Sequence, residues 1–249
     1  MALLERLGDL GNEVTVTVGT NGGMVARRGV LGLLGSMAGA AMLGGCGLLG
    51  GSSYRFRMIV EADTPQGSRT GTSVMEVYAA KRFALTSEEA EISDGLRGEA
   101  VTVDLPGGSL FALLKTADGS RLDLHRAVTV ALSGRMFTSL PDLSAMVGKL
   151  GGAFAGSATA ELPRTDWPLF VRFRDMSDPT SVERVEPDAT GIRRILVETT
   201  GDAVTQEIQK RLRWLTDGGL TLNVNGRPSV NPPFAGTIYQ REFKTELER

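Results

Sequence analysis

Two reactive residue types are nearly missing from this chain of 249 residues, which has one cysteine and one histidine. A single cysteine excludes an internal disulfide. A single histidine, His125, with one cysteine removes the ligand sets on which zinc sites depend. A charge excess of either sign is also missing: 27 basic residues stand against 29 acidic ones, a formal net charge of -2. No basic field draws the chain to nucleic acid. Catalytic motifs are missing as well. No Gly-x-Ser-x-Gly elbow presents a nucleophile, and no EF-hand spacing appears. Gly148-Lys-Leu-Gly-Gly-Ala-Phe-Ala-Gly156 is glycine-rich but lacks the Gly-Lys-Ser/Thr ending of a phosphate loop, so it reads as a helix-packing surface. No cofactor or metal is expected. With 41% hydrophobic and 22% charged residues, what is left has the composition of a globular domain.

Only one long apolar run is present, and the lone cysteine ends it. Arg27 and Arg28 precede Gly29 to Gly45, 17 residues without a charge, and Cys46 follows. As a helix this run spans roughly 25 Å, short of the ~30 Å hydrocarbon core. A basic pair, an apolar run and small residues at its end are the parts of an export signal. Leu43-Gly44-Gly45-Cys46 resembles the lipobox of bacterial lipoproteins, and Arg27-Arg28-Gly-Val-Leu resembles a twin-arginine export signal, with ordinary secretion as the other route. The resemblance implies that Cys46 carries a diacylglycerol and becomes the mature N-terminus. It also implies anchorage at a membrane surface facing the periplasm. Gly47 in place of Asp favours the outer membrane over the inner. Residues 1–23 carry Glu5, Asp9 and Glu13 against Arg6, the wrong charge for a signal, so translation is expected to start at Met24. The expected layout is then 24–45 signal, 46–53 lipidated flexible tether, and 54–249 one globular domain. Removing 1–45 takes away three basic and three acidic residues, so the balance stays at -2.

Beyond the tether, Tyr54 to Ala62 alternates Tyr, Phe, Met and Val with Arg, Arg, Ile and Glu, the pattern of a half-buried strand. Turn residues Asp63 to Arg69 lead to a second strand over Thr72 to Ala80, a hairpin. Glu99 to Leu105 and Ser109 to Lys115, separated by Pro-Gly-Gly, form another. A short strand is expected near Leu122 to Leu132. Ser139-Leu-Pro-Asp142 opens a helix with Leu143, Met146, Val147, Leu150 and Phe154 on one face; its glycines allow close packing on a sheet. Strands follow at Pro168 to Asp175 and Ile192 to Glu198. A second helix is expected from Asp202 to Leu215, burying Val204, Ile208, Leu212 and Leu215, pairing Glu207 with Arg211, and ending at Gly218-Gly219. The segment with Pro232-Pro233 reads as extended. Hairpins with two packed helices predict an α+β fold with an antiparallel sheet.

Two places invite a chemical reading. His125 lies two residues from Asp123, on one face if the segment is a strand; a solvent-facing or core-edge histidine is the plainer reading. Arg172 and Arg174 share a strand face next to a loop with Asp175, Asp178, Glu183, Glu186 and Asp188. Guanidinium forks there suit an anionic or peptide ligand. The plain alternative is a solvated face paired with its own carboxylates and with Glu198. Leu-Pro-Gly-Gly-Ser-Leu-Phe-Ala-Leu-Leu-Lys115 and Asp178-Pro-Thr-Ser-Val-Glu-Arg-Val-Glu-Pro187 resemble stretches of alphaproteobacterial exported lipoproteins, which implies an address and no mechanism. The expectation is a non-enzymatic envelope protein that binds a protein partner or envelope component. The rivals are an envelope hydrolase and a carrier of a lipid or other apolar ligand.

Overall fold

The computed structural model describes residues 51–82, 91–118, 120–153, 155–215, 220–223 and 232–245, all within one unit that runs from Gly44 to Arg249. The chain enters the fold on β1 (Gly51–Thr64) and returns on β2 (Gly67–Arg82), in unbroken register from Gly51 opposite Ala80 to Thr64 opposite Gly67. Along β1 the buried side chains are Tyr54, Phe56, Met58, Val60 and Ala62, the alternation that a strand with one face inward requires. Gly51, Ser52 and Ser53, expected in the tether, already belong to this strand.

Next come β3 (Glu91–Glu99), β4 (Val101–Leu105) and β5 (Gly108–Thr116). Only Ala100 separates β3 from β4, so the chain changes sheet within one residue. Gly98 permits that corner: its φ is 140°, and a side chain there would collide with Met75. The remaining elements are α1 (Leu124–Ser133), α2 (Leu140–Gly151), β6 (Thr159–Glu161), β7 (Pro168–Phe173), β8 (Val182–Arg184), β9 (Ile192–Thr199), α3 (Ile208–Arg211) and β10 (Lys244–Thr245). Two antiparallel sheets result, ordered β10-β3-β2-β1-β9-β6 and β4-β5-β7-β8. With helices packed against them they agree with the α+β expectation.

At β5, in its centre, the smaller sheet is buried on both faces. Leu110 and Ala112 of β5 join the inner core with Phe56, Met58, Val128 and Ile195. Phe111 and Leu113, pointing the other way, join a second core with Val171, Leu212, Ile238 and Phe243. This explains why β5 reads Leu-Phe-Ala-Leu-Leu with no polar alternation. Trp214, Phe173, Phe111 and Phe243 meet largely edge to face, at centroid separations from 5.5 to 6.1 Å.

Two expectations are corrected. Leu122 to Leu132 is not a strand but contains most of α1, with Leu124, Ala127, Val128 and Leu132 buried at helical spacing and Gly134 closing it at φ 69°. The Val-Thr-Val run looks like a strand locally, but packing against the inner core selects the helix. The helix expected from Asp202 to Leu215 shrinks to the four residues of α3. Upstream, the backbone is used elsewhere: Thr205 N–H donates to Val74 O, and the Thr205 hydroxyl accepts from Val74 N–H. The buried Glu99 carboxylate then accepts from the N–H groups of Glu207 and Ile208 at 2.7 and 2.9 Å, which sets where α3 begins. Ile208, Leu212 and Leu215 are nonetheless buried as expected, and Val204 half-buried. Glu207 pairs with Lys210 instead of Arg211. Phe154 and Gly218-Gly219 lie outside the described residues.

α2 matches its signals. Ser139 caps it by accepting from Asp142 N–H at 3.3 Å, and Leu143, Met146 and Val147 are buried. Gly148 faces the Ser52 side chain, and a side chain at Gly151 would collide with Ser53 O. The glycines therefore let α2 lie directly on the start of β1.

Candidate functional site

A cleft of about 420 Å³ opens where two hairpin turns and one 3-10 turn converge. The turn between β1 and β2 supplies Asp63 to Gln66, the turn between β4 and β5 supplies Leu105 to Leu110, and Ala189 to Gly191 closes a third side. Each wall is held by its own chemistry. The Thr64 hydroxyl donates to Gly67 O at 2.7 Å, and Gly67 takes φ 107°. In the second turn Gly108 takes φ 119°, and the Ser109 hydroxyl donates to Asp104 at 2.7 Å. Arg211 grips the same carboxylate with two nitrogens at 2.7 and 2.8 Å. Arg211 and Ser109 hold the Asp104 carboxyl below its ordinary value. Gly191, at φ 72°, accepts from Asp63 N–H at 2.9 Å and sits so close that a Cβ would fall 2.2 Å from Asp63 O. The walls combine apolar residues (Pro65, Leu105, Pro106, Leu110) with polar ones (Asp63, Thr64, Gln66, Ser109, Thr190) and one guanidinium, Arg172.

Of the paired arginines singled out in the sequence, Arg172 lines this cleft. Their expected partner Glu198 instead pairs with Arg57. Both Arg172 and Arg174 pair with Glu183, at 3.2 and 3.1 Å, because β7 and β8 place Arg172 opposite Glu183. The neighbouring carboxylates have local work too. Asp175 accepts from the Ser177 hydroxyl and N–H, which lower its pKa, and Asp178 accepts hydrogen bonds from the Thr180 hydroxyl and N–H. Glu186 pairs with Arg184, and Asp188 with Arg164. The plain reading of this face, carboxylates saturating arginines, describes most of it.

His125 has a different setting from the one expected. It lies on α1, and its Nε2 meets Asp94 of β3 at 2.7 Å, not Asp123. Arg126 grips the same carboxylate through Nε and Nη2 at 2.7 and 3.0 Å. Burial pushes the Asp94 carboxyl up, but the hydrogen bonds and charges of Arg126 and His125 outweigh it and hold it below the ordinary value. Among the described residues no serine or threonine hydroxyl is hydrogen-bonded to the imidazole. The trio ties α1 to β3 and, among the described residues, pairs an imidazole with an orienting carboxylate without a nucleophile hydrogen-bonded to it. Nothing local in the sequence marks Asp94 as the partner of His125, because the pairing spans 31 residues.

Two further clefts, of about 430 and 340 Å³, share Arg164, Trp167 and Asp188. Arg164 stacks over Trp167 with its guanidinium carbon 4.8 Å from the ring centroid. Among the described residues no group of three acidic, His or Cys side chains is arranged to hold a metal ion, and no helix is long and apolar enough to cross a membrane. Arg27, Arg28, Leu43, Gly44, Gly45 and Cys46 lie outside the described residues. No family model, no curated protein and no solved structure matches this chain.

Proposed function

We propose that this chain is a lipid-anchored cell-envelope protein whose folded domain binds a partner at the membrane surface. The observation that carries the reading is the lone cysteine at the end of the lone apolar run, behind Leu43-Gly44-Gly45 and the Arg27-Arg28 pair. The Cys46 thiol gives up its proton as its sulfur takes the diacylglyceryl group of a phospholipid, whose phosphate headgroup leaves, and hydrolysis of the Gly45–Cys46 peptide bond discards the export segment 24–45. The domain faces the periplasm, at the outer membrane in preference to the inner. Tethering confines the domain near a surface, which raises its effective concentration for neighbours without any added contact.

The cleft beside Arg172 is the binding face in this reading. The apolar residues in its walls cover a ligand's side chain, and Arg172, already sharing Glu183 with Arg174, takes a carboxylate without leaving a buried charge. A second reading, an envelope hydrolase, draws on the 2.7 Å contact of His125 with Asp94. It requires a hydroxyl or water on the other imidazole nitrogen.

The test labels the producing cells with palmitate. Wild-type protein takes up label and stays with membranes, whereas Cys46→Ser takes up none and leaves them. Equal labelling of the two sinks the proposal. Pull-down of lipidated protein with and without Arg172→Glu then reads the binding face: a partner lost in the variant supports it, and a partner retained moves binding elsewhere.

A further inference from the structure

The helix that lies on the start of β1 exposes apolar side chains among the described residues. β1 begins at Gly51, so five peptide steps separate its first residue from Cys46, a reach of at most about 18 Å. β1 then runs for 14 residues, about 45 Å at strand rise, to the turn that lines the cleft. The two ends of this strand therefore differ greatly in their distance from any lipid on Cys46.

The element lying on the tethered end is α2. Gly148 and Gly151 set it against Ser52 and Ser53, one step closer to the tether than α1, whose Thr129 meets Tyr54 at 2.9 Å. α2 buries Leu143, Met146 and Val147 inward; Leu140, Pro141, Ala145 and Lys149 are exposed on it. Three large hydrophobic side chains are exposed among the described residues, and two of them belong to the first residue of α2 and the turn before it: Leu140 at 36% and Met136 at 59%. Arg135, next to Met136 in the chain, is exposed and paired with Asp142. Exposed apolar side chains on a helix held close to an acylated residue suit the boundary between headgroups and acyl chains.

We propose that α2 and the turn before it rest on the bilayer that holds the lipid, with Met136 and Leu140 entering the headgroup boundary. The cleft beside Arg172 is then turned outward. This inference rests on lipidation of Cys46. The lipid supplies the affinity; the short tether keeps the patch at high local concentration, so a small apolar contact suffices to orient the domain.

The experiment uses full-length protein, processed and lipidated in cells, then purified into phosphatidylethanolamine–phosphatidylglycerol vesicles. Met136→Cys and Gln66→Cys are each labelled with an environment-sensitive dye, since the Cys46 sulfur is consumed by the lipid. Both proteins float with the vesicles. Lipids carrying a shallow nitroxide quench the dye at position 136 severalfold more than at position 66, and Leu140→Asp added to Met136→Cys removes that excess. Flotation with equal quenching at the two positions, or with an excess that survives Leu140→Asp, overturns the orientation and leaves the anchor standing. Failure to float overturns both.

Discussion

Asp94 and Glu183 have the same task in two different places. Each is one carboxylate shared by two basic side chains: Arg126 and His125 for Asp94, Arg172 and Arg174 for Glu183. The side chain of Asp94 is 6% exposed, that of Glu183 35%. Asp94 joins elements 31 and 32 residues apart, β3 and α1; Glu183 joins neighbouring strands whose register is set by the backbone. Identical pairing chemistry therefore holds the fold together in the first place and merely decorates a face in the second. Water makes the difference: near-complete burial leaves no alternative partner for the Asp94 charge, and exposure gives Glu183 many.

That contrast is open to attack. Asp94→Ala leaves Arg126 and His125 without their common acceptor and is expected to cost about 3 kcal/mol, measured by urea denaturation. A loss close to that of a surface variant breaks the comparison. His125→Gln removes one of the hydrogen bonds to a charged acceptor and should cost about 1–2 kcal/mol in the same assay. Acid sharpens the contrast further. The folded pKa of Asp94 is lowered, so its contribution is present above the unfolded value of about 3.9 and is lost as pH falls through the folded value. Asp94→Asn should flatten the stability–pH curve below about pH 4. A curve for Asp94→Asn as steep as wild type contradicts the assignment. Glu183→Gln comes last, with an expected change under about 1 kcal/mol that shrinks further in high salt.

Legibility of the fold followed the reach of the interactions. The hairpin of β1 and β2 was readable because its alternation and its Pro-Gln-Gly turn lie within one stretch of chain. α2 was readable because Ser139, the early proline and the apolar spacing from Leu143 are all local. α1 was not, since Val128, Thr129 and Val130 suit a strand equally well until the inner core claims Val128 and Thr129. The truncation of α3 depends on a carboxylate at Glu99, 108 residues before its first partner, which no local pattern reports. At the candidate site, Arg172 was visible as an exposed arginine on an apolar strand. Its place beside two hairpin turns was not, because those turns meet only when the sheets pack.

By itself the sequence determined the alternation of β1 and β9, the doubly apolar β5 and β7, and the start of α2. These are properties of contiguous residues, whose spacing alone specifies which side chains share a face. Tertiary structure decided that 124–133 is a helix, that His125 answers to Asp94 and not Asp123, and that three turns enclose one cleft. Those outcomes are pairings across tens of residues, and sheet register and core packing choose among partners that local spacing leaves equivalent.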